Sequence, residues 1–283
     1  MKIVEKIAKS IITPSKLPDA DYVINPYIGC AFSCKYCYAS FMGRFINKSI
    51  EGWGNYVYIK TNAVELAEKE VDKLIKKNAN AKVLFSSVTD AWQGVEQKYK
   101  LSREILKIFV KKNFQGQISI LTKSPLILRD IDLLKKLKNV RVGLTITSTD
   151  DKVSRFLETK APNVLRRLDT LKKLNEEGVK TYAFIGPIFP HFINDIDNLD
   201  KIFKNIKEAG TNDIFVEHLN LSSSVLYRMK PFLLNECSQE VYNIYIKNSQ
   251  SREHKEKLNI KIIEIINKYN MNLMLGKVIE HGK

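Results

Sequence analysis

Three cysteines that lie close together are the residues whose type and spacing point most directly to chemistry. Cys30, Cys34 and Cys37 fall within one short segment, whereas the fourth cysteine, Cys237, is far away in the chain. Thiolates separated by three and then two residues can wrap a loop around an iron–sulfur cluster or a zinc ion. A cubane cluster held by only three local thiolates would keep one iron open, and an open iron can bind a cofactor or a substrate.

Other uses of these thiols remain open from the residues alone. A zinc site could be completed by Cys237 or by one of the four histidines. A cluster that only transfers electrons would need a fourth cysteine nearby, and the sequence has none there. A disulfide among the three is disfavoured in a reducing cytosol. Two kinds of protein therefore remain possible: an enzyme that uses the open iron, and a zinc or iron–sulfur binding protein without catalytic activity.

The rest of the chain predicts an α/β framework that would position this loop. Short apolar runs predict strands, and longer stretches with helical periodicity predict the helices between them. The predicted strands cover residues 22–28, 56–60, 82–87, 117–122, 140–147, 180–185 and 214–218. The predicted helices lie near residues 63–77, 102–112, 131–137, 164–177 and 195–209. Gly178 and Gly210 each follow a helix, where a glycine cap is expected.

Strands that alternate with helices indicate βαβ units and a mostly parallel sheet. About six such units fit before Asn220. That number suits a partial (β/α)6 barrel better than a closed TIM barrel, which typically needs about 250 residues. We therefore predict a barrel over residues 1–220 and a C-terminal helical extension, packed on the barrel, over residues 221–283.

Polar residues follow the carboxyl end of most predicted strands, and parallel α/β folds bind their ligands at that edge. The segments concerned are residues 29–30, 86–90, 122–124, 145–149 and 186–187. A purely structural sheet does not need polar groups at every such end. The pattern predicts one active site at this edge.

The cysteine segment also resembles a known family. Cys30-x-x-x-Cys34-x-x-Cys37 after a first strand, with Tyr36 before the last cysteine, is similar to the signature of the radical S-adenosylmethionine (SAM) superfamily. The resemblance implies a [4Fe–4S] cluster whose open iron chelates the amino and carboxylate groups of SAM. An electron from the cluster would cleave the sulfonium to methionine and a 5′-deoxyadenosyl radical, which abstracts hydrogen from a substrate. Tyr36 would pack near the adenine, and a donor such as flavodoxin or ferredoxin would supply the electron.

Further short motifs resemble the spore photoproduct lyase-like group, also labelled DNA-repair photolyases. They are Asn25-Pro26-Tyr27, Thr89-Asp90, Thr122-Lys123-Ser124, Arg129-Asp130, Leu157-Glu158 and Pro187-Ile188, which together span roughly residues 20–220. In that group a lysine and a hydroxyl residue on the next strand contact SAM. The resemblance assigns these roles to Lys123, whose ammonium would meet the SAM carboxylate, and to Thr145.

Four more residues complete the predicted site. Ser86 and Ser87 lie where the amino group of SAM or the substrate would be reached, and Gly186 permits close approach of the adenosyl group. Asp90 would position the substrate or, equally, cap the following turn. Spore photoproduct lyases carry a hydrogen-donating cysteine in this loop, at the position of Ser87. A serine O–H bond is too strong to replace that thiol, so we do not expect lesion reversal of the spore type.

Several other residues have both a functional and a structural interpretation. Glu158, Arg166 and Arg167 predict an ion-pair cluster near the mouth of the barrel. His191 and His218 follow strand ends, where a hydrogen-bonded structural histidine is the commoner outcome. Trp92 would either stack a base or fill the rim of the barrel. If a tyrosine near the mouth supplies hydrogen to the product radical in place of the missing thiol, Tyr38 and Tyr182 are the candidates.

The charge and the apolar pattern bear on the partners. A formal net charge of +15 favours a polyanionic substrate such as a nucleic acid or nucleotide. The lysines could equally form only a solvated surface, and the alternative substrate is a peptide, a protein or a small molecule. No apolar run is long enough to cross a membrane, and the first residues lack a signal core. We therefore expect a cytoplasmic protein without a membrane partner.

Overall fold

Residues 1–281 are described by the computed structural model and form two β-sheets with helical connections. The strands are β1 (Lys2–Lys6), β2 (Ile12–Pro14), β3 (Tyr22–Ile24), β4 (Tyr27–Ile28), β5 (Tyr56–Lys60), β6 (Lys82–Phe85), β7 (Gln117–Thr122), β8 (Val140–Thr145), β9 (Thr181–Ile188), β10 (Asp213–His218) and β11 (Asn272–Leu273). The α-helices are α1 (Ala63–Lys77), α2 (Glu96–Tyr99), α3 (Leu101–Lys111), α4 (Ile131–Leu134), α5 (Asp151–Leu157), α6 (Val164–Glu176), α7 (Ile196–Glu208), α8 (Ser223–Glu236), α9 (Gln239–Tyr242) and α10 (Arg252–Lys268). Further helical segments, which have 3₁₀ or π geometry, are Tyr38–Ile46, Pro125–Asp130, Pro190–Asn194, Asn243–Lys247, Asn248–Gln250 and Met274–Gly276.

The larger sheet carries the predicted barrel. Its strand order is β11-β10-β9-β8-β7-β6-β3-β2, and every neighbouring pair except β2 with β3 is parallel. The six strands β3, β6, β7, β8, β9 and β10 follow one another in chain order, which is the result of successive βαβ units. β2 and β11 lie at the two edges, so the sheet of the described chain is open. The predicted fold class, an α/β partial barrel with six strands, is confirmed.

The helices cover this sheet through apolar stripes. In α1 the buried residues Ala63, Ala67, Val71 and Leu74 recur at helical spacing, and this helix packs against α3. α6 packs on β8 and β9 and contacts α7. The central strands are buried on both faces, as expected for a parallel sheet between layers of structure. The core therefore fixes where each strand ends, and with it the edge that carries the site.

The smaller sheet corrects one part of the strand prediction. The predicted strand over residues 22–28 is divided at Asn25-Pro26 into β3 and β4, and β4 pairs with β5 rather than with the barrel. Residues 56–60 do form a strand, but it lies between β1 and β4 in a separate three-stranded sheet. The sequence pattern identified the strand correctly and could not reveal its partners. The caps at Gly178 and Gly210, both at positive φ, are as predicted.

The C-terminal part contains α8, α9 and α10 and then returns to the larger sheet. β11 pairs with β10, and Ile279 forms a bridge with Glu217. α10 contacts α7, and α8 contacts the Tyr38–Ile46 segment. The division of the chain at residue 220 stays a proposal, since the last strand of the extension continues the sheet of the barrel. Within the described residues, no helix is both long and apolar enough to span a bilayer.

Candidate active site

A cavity of about 320 Å³ opens at the carboxyl ends of the parallel strands. Its wall comes from the ends of β6 to β10 and from the cysteine loop that follows β4. All the residues predicted for the site line it: Cys30, Cys34, Tyr36, Cys37, Ser86, Ser87, Asp90, Lys123, Thr145 and Gly186. These residues are spread widely along the sequence, so it is the parallel sheet that brings them together.

The cysteine loop is held at its start by side chains that follow β6. Gln93 accepts a hydrogen bond from the N–H of Ala31 at 2.8 Å and donates one to the carbonyl of Gly29 at 3.1 Å. Thr89 Oγ1 donates to the same carbonyl at 2.5 Å. Gly29 has a φ of +91°, and a Cβ there would lie 2.5 Å from the carbonyl oxygen of Tyr56. The turn that leads into the loop therefore requires glycine.

Two more distant elements hold the middle of the loop. The N–H of Lys35 donates to the carbonyl of Leu157, the last residue of α5, at 2.8 Å. From α8, Arg228 Nη1 donates to the carbonyl of Cys34 at 2.9 Å. The backbone between the cysteines is thus fixed by contacts from both the barrel and the C-terminal part, which presents the thiols to the cavity in a defined arrangement.

Burial and charge act in opposite directions on the three thiols. Cys30 and Cys34 are buried, and Cys37 is partly exposed. Burial raises the pKa of all three thiols, to about 12 for Cys34. Asp90 raises the pKa of Cys30 further, whereas the ammonium of Lys123 lowers the pKa of Cys34 and Cys37. Iron binds the thiolate form, so a cluster would supply the positive charge that buried thiolates need.

The donor set fits an iron–sulfur cluster. Cys30, Cys34 and Cys37 all face one cavity, and the fourth cysteine of the chain does not line it. Within residues 1–281, no three His, Cys, Asp or Glu side chains converge on a position for a single metal ion. In a cubane each thiolate binds a different iron, so the thiols need to surround the cluster rather than meet at one point.

The buried carboxylate of Glu158 links the cysteine loop to the end of β7. It forms an ion pair of 2.5 Å with Arg167, which is also buried, and it accepts a hydrogen bond from the hydroxyl of Tyr36. Lys123 Nζ lies 3.9 Å from Glu158 Oε1 and 5.8 Å from the centroid of the Tyr36 ring. Burial alone would raise the pKa of Glu158, but the charges of Arg167 and Lys123 lower it, so the carboxylate is ionised. The network orients Tyr36 and Lys123 relative to each other.

The loop after β6 is folded by hydrogen bonds from its own residues and from Asn25. Ser86 has a φ of +76°, and its Oγ accepts a hydrogen bond from the N–H of Ala91 at 2.9 Å. Asn25 Nδ2 donates to Ser87 Oγ at 2.9 Å. The Ser87 carbonyl accepts a hydrogen bond from the hydroxyl of Tyr38. Both serine hydroxyls therefore help to shape the cavity wall on which they lie.

Asp90 joins the loop after β6 to the end of β7. Its Oδ1 accepts hydrogen bonds from Thr122 Oγ1 at 2.7 Å and from the N–H of Trp92 at 2.9 Å. Its Oδ2 accepts one from the N–H of Lys123 at 2.9 Å. Burial raises the pKa of Asp90, although these hydrogen bonds oppose the increase. Of the two predicted roles, the contacts favour the structural one, because both oxygens are already occupied by protein donors.

Thr145 and Gly186 lie on the neighbouring strands β8 and β9. The Thr145 side chain is buried against the cavity, and its carbonyl accepts a hydrogen bond from Arg167 Nη1 at 3.1 Å. A Cβ at Gly186 would lie 1.9 Å from the ring of Phe184. Any larger residue at 186 would have to displace the Phe184 ring, and with glycine the backbone forms part of the cavity wall without an intervening side chain.

Other candidates lie away from the cavity. Trp92 is fully buried, and its indole N–H donates to Asp130 at 2.8 Å, so the base-stacking interpretation is wrong and the structural one is right. In the predicted ion-pair cluster, Arg166 is exposed and makes no ion pair within the described residues, which leaves Glu158 with Arg167.

The histidines and the remaining thiol also have structural surroundings. His191 Nδ1 lies 2.7 Å from the hydroxyl of Tyr245, and His218 Nε2 lies 2.8 Å from Asn259 Oδ1. Cys237 caps the C-terminus of α8, outside the cavity wall. None of these three residues lines the cavity, although both histidines lie near the carboxyl end of a strand.

Two residues that hold the cysteine loop were not identified from the sequence. Gln93 lies only a few residues beyond the polar segment 86–90, so its position could have been suspected. Arg228 lies on α8, almost two hundred residues from the carbonyl that it binds, and no local pattern marks it.

Tyr182 is one of the two tyrosines predicted as alternative hydrogen donors to a product radical. Its hydroxyl is buried and donates a hydrogen bond to the carbonyl of Ile120 at 2.9 Å.

Comparison with known sequences identifies relatives along most of the chain. The family model described as the Radical SAM superfamily matches residues 24–203. An uncharacterised protein of Methanocaldococcus jannaschii is 41% identical over 224 residues, which cover 79% of this chain and 80% of that protein. An uncharacterised protein of Mycobacterium tuberculosis strain H37Rv is 25% identical over 285 residues, which cover 94% of this chain and 81% of that protein.

Comparison with solved structures identifies the same fold in proteins of low sequence identity. A spore photoproduct lyase variant with bound AdoMet and dinucleoside spore photoproduct superimposes with a TM-score of 0.71 at 14% identity, covering 98% of this chain and 81% of that one. SuiB of Streptococcus suis bound to the precursor peptide SuiA superimposes with a TM-score of 0.58 at 16% identity, covering 92% of this chain and 48% of that one. At these identities the likeness concerns the fold alone.

Proposed function

The chain belongs to the radical SAM superfamily, and from this premise we propose that it cleaves SAM reductively at a [4Fe–4S] cluster held by Cys30, Cys34 and Cys37. The observation that carries the proposal is the common cavity, which is lined by the three thiols and by the residues expected to contact SAM. The cluster would supply one electron to break a carbon–sulfur bond of SAM, which yields methionine and a 5′-deoxyadenosyl radical that takes hydrogen from the substrate.

The protein's own residues would bind and orient SAM. Lys123 would pair with the SAM carboxylate, because it lines the cavity together with the three cysteines and its ammonium lies 3.9 Å from its nearest carboxylate, Glu158. Tyr36 would pack near the adenine, Thr145 would contact SAM through its hydroxyl, and the backbone at Gly186 would lie against the adenosyl group. Ser86 and Ser87 would approach the amino group of SAM or the substrate.

We propose a nucleic acid or nucleotide as the substrate. The net charge of +15 favours a polyanion. A structural relative, spore photoproduct lyase, is known with a dinucleoside photoproduct bound. Reversal of that lesion is not part of the proposal, since a serine at position 87 offers no thiol hydrogen.

A peptide substrate is the alternative within the same chemistry. SuiB, which has a similar fold, is known with its precursor peptide bound. A titration with single-stranded DNA at increasing salt distinguishes the two. Phosphate binding releases counterions, so log affinity for a nucleic acid should fall linearly with log salt. Absence of binding at low salt would favour the peptide or small-molecule substrate.

The cluster and SAM cleavage are tested together on protein prepared without oxygen. The protein should contain about four irons per chain, the content of one cubane cluster, and should release 5′-deoxyadenosine and methionine when reduced with SAM present. Cys30→Ala, Cys34→Ala and Cys37→Ala should each abolish both properties. Cys237→Ala is the matched control and should retain them. Zinc in place of iron, or loss of the cluster in Cys237→Ala, would contradict the three-thiolate model.

We also propose a cytoplasmic location and a reductant such as flavodoxin or ferredoxin. Free thiols and an oxygen-sensitive cluster both require a reducing compartment, and the four cysteines form no disulfide. Reduction of the cluster by either carrier, followed by 5′-deoxyadenosine release, is the corresponding test.

A further inference from the structure

A groove lies beside the mouth of the active-site cavity and shares Tyr38 and Asn220 with it. We call it the mouth groove; it has a volume of about 660 Å³. One wall is the Tyr38–Ile46 segment with the residues that follow it, and the other is the β10–α8 connection with the first turns of α8. Arg44, Lys48 and Glu51 lie on the first wall, and Tyr227 lies on the second.

Both walls are attached to the cysteine loop. Tyr38 follows Cys37 directly, so the first wall begins where the loop ends. On the second wall, Tyr227 precedes Arg228, whose guanidinium binds the Cys34 carbonyl. A molecule held in the mouth groove would therefore be fixed in position relative to the thiols.

The charge and the aromatic rings of the mouth groove indicate its ligand. Arg44 lies 5.2 Å from the centroid of Phe41 and 4.7 Å from that of Phe45, and neither Arg44 nor Lys48 forms an ion pair within the described residues. Tyr227 is 57% exposed, which leaves its ring available for stacking. Cations together with exposed rings are what bind single-stranded nucleic acids, because phosphates need cations and every base can stack.

The groove also contains one negative charge. Glu51 lies on the wall of the groove, and the hydroxyl of Tyr227 lowers the pKa of its carboxyl group, so the carboxylate is ionised at neutral pH. The two cations outnumber this carboxylate.

The size of the cavity explains why a second binding surface is needed. SAM is a drug-sized molecule, and about 320 Å³ is at the lower end of the volumes that hold one such ligand. The same cavity would also hold the cluster, so most of a substrate must lie outside it. A nucleotide inside a duplex would first have to leave its stack, whereas a single strand avoids that cost.

We propose that the mouth groove binds a single-stranded nucleic acid next to the nucleotide that reacts, with Arg44 and Lys48 on phosphates and Tyr227 stacked on a base. This proposal rests on the proposed function and names the part of the substrate that the chain holds outside the cavity.

The test measures binding of a fluorescent oligothymidylate of about 12 nucleotides to the reconstituted holoenzyme by anisotropy over a series of salt concentrations. The variant Arg44→Ala/Lys48→Ala removes two cations from the groove. The slope of log affinity against log salt should become shallower by about 1.4, since each contact with a single strand contributes about 0.7. The matched control Lys69→Ala/Lys73→Ala removes the same charge from exposed positions on α1 and should keep the slope of the wild type.

A second pair of variants tests stacking. Tyr227→Leu should weaken binding on the order of tenfold, because one base loses its aromatic contact. Tyr227→Phe keeps the ring and should bind as the wild type does. Equal slopes for the two double variants, or equal affinities for Tyr227→Leu and Tyr227→Phe, would overturn the proposal. Displacement of the oligonucleotide by polyglutamate as readily as by unlabelled DNA would also overturn it, in favour of an acidic peptide.

The same preparations separate this proposal from the proposed function. Wild-type protein that releases no 5′-deoxyadenosine from SAM would refute the proposed function, whatever the oligonucleotide titration shows. If the wild-type protein cleaves SAM and binds the oligonucleotide, but the groove variants bind it as the wild type does, only the assignment of the mouth groove is refuted.

Discussion

At the residue scale, the partners of each buried polar group decide which groups remain available to a ligand. Glu158 is surrounded by donors, with Arg167, Tyr36 and the hydroxyls of Thr147 and Ser154 all in contact. The ammonium of Lys123 is different. Within the described residues its one ionic partner is Glu158, at the long distance of 3.9 Å. An ammonium can donate three hydrogen bonds, so Lys123 retains donors for a ligand in the cavity.

The availability of Lys123 leads to a prediction for SAM binding. Lys123→Met should weaken the binding of SAM by about 2 kcal/mol, or roughly 30-fold, which is the typical contribution of a hydrogen bond to a charged group. The iron content should not change, because the ammonium is not a ligand of the cluster. Equilibrium binding of SAM to the reconstituted protein measures the effect. Lys135→Met, at an exposed lysine paired with Glu177, is the control and should bind SAM normally.

Glu158 gives a prediction for stability. Glu158→Gln should lower the free energy of unfolding by about 3 kcal/mol at neutral pH, because the buried guanidinium of Arg167 loses its counter-charge. Glu177→Gln removes an exposed ion pair with Lys135 and should cost less than about 1 kcal/mol. Urea unfolding of the two variants provides the comparison.

The pH dependence of this effect follows from the lowered pKa of Glu158. A carboxyl group whose pKa is lower in the folded state stabilises the protein above its ordinary pKa, and this contribution is lost as the pH falls through the folded value. The difference in stability between wild type and Glu158→Gln should therefore be full at neutral pH and decrease on acidification below about 4.5. A difference that stays constant down to acid pH would show that the ion pair is not its source.

At the scale of elements, the site depends on contacts between segments that are distant in sequence. The cysteine loop is bound by Gln93 after β6, by Leu157 at the end of α5 and by Arg228 on α8. α8 belongs to the C-terminal part, which we propose as an extension of the barrel. Its direct contact with the loop means that this part of the chain contributes to the proposed cluster site and does not only cover the core.

The contact from α8 predicts that Arg228 stabilises the cluster. Arg228→Met keeps the length and apolar stem of the side chain but removes the hydrogen bond to the Cys34 carbonyl. A chelator should then remove iron about tenfold faster, as expected from the loss of one charged hydrogen bond. Arg252→Met is the control, because Arg252 is exposed on α10 and pairs with Glu256. Equal rates of iron loss in the two variants would limit α8 to a packing role.

At the scale of the whole molecule, the distribution of the thiols limits how a product radical can be quenched. The chain has four cysteines, three of which face the cavity in the positions proposed for the cluster. Cys237 lies at the end of α8 and does not line the cavity. The hydroxyl of Tyr182 is committed to a backbone carbonyl, and that of Tyr38 to Ser87. The fold therefore brings no spare thiol to the place where SAM would be regenerated.

This arrangement predicts that SAM is consumed. With a substrate that accelerates SAM cleavage, 5′-deoxyadenosine and product should accumulate in about equal amounts, as measured by chromatography of the same reaction. Product formed in large excess over 5′-deoxyadenosine would mean that SAM is regenerated, and that a donor other than a thiol operates. Ser87→Cys provides the complementary experiment, because a thiol at this position of the cavity wall should increase the ratio of product to 5′-deoxyadenosine.

Local patterns predicted most of the elements and the cysteines proposed as cluster ligands. The helix at residues 63–77 and the strands at residues 56–60 and 117–122 were predicted with the bounds that they have, because their apolar periodicity is regular and their ends are marked. The cysteine spacing indicated an iron–sulfur or zinc site, since the thiolates of such a loop are close in sequence. The carboxyl ends of the strands also indicated the cavity residues, because parallel strands align their ends at one edge.

Tertiary structure alone decided which residues are partners. It placed β5 in the smaller sheet, because strand pairing depends on which edges meet and not on the residues within one strand. It buried Trp92 against Asp130, separated Arg166 from the pair of Glu158 and Arg167, and brought Arg228 to the cysteine loop. Hydrogen bonds and ion pairs act over a few ångströms in space, so a sequence without its fold cannot specify them when the partners are far apart in the chain. The spacing of the cysteines is therefore a local property of the sequence, whereas the contacts that hold the cysteine loop in place are determined by the fold.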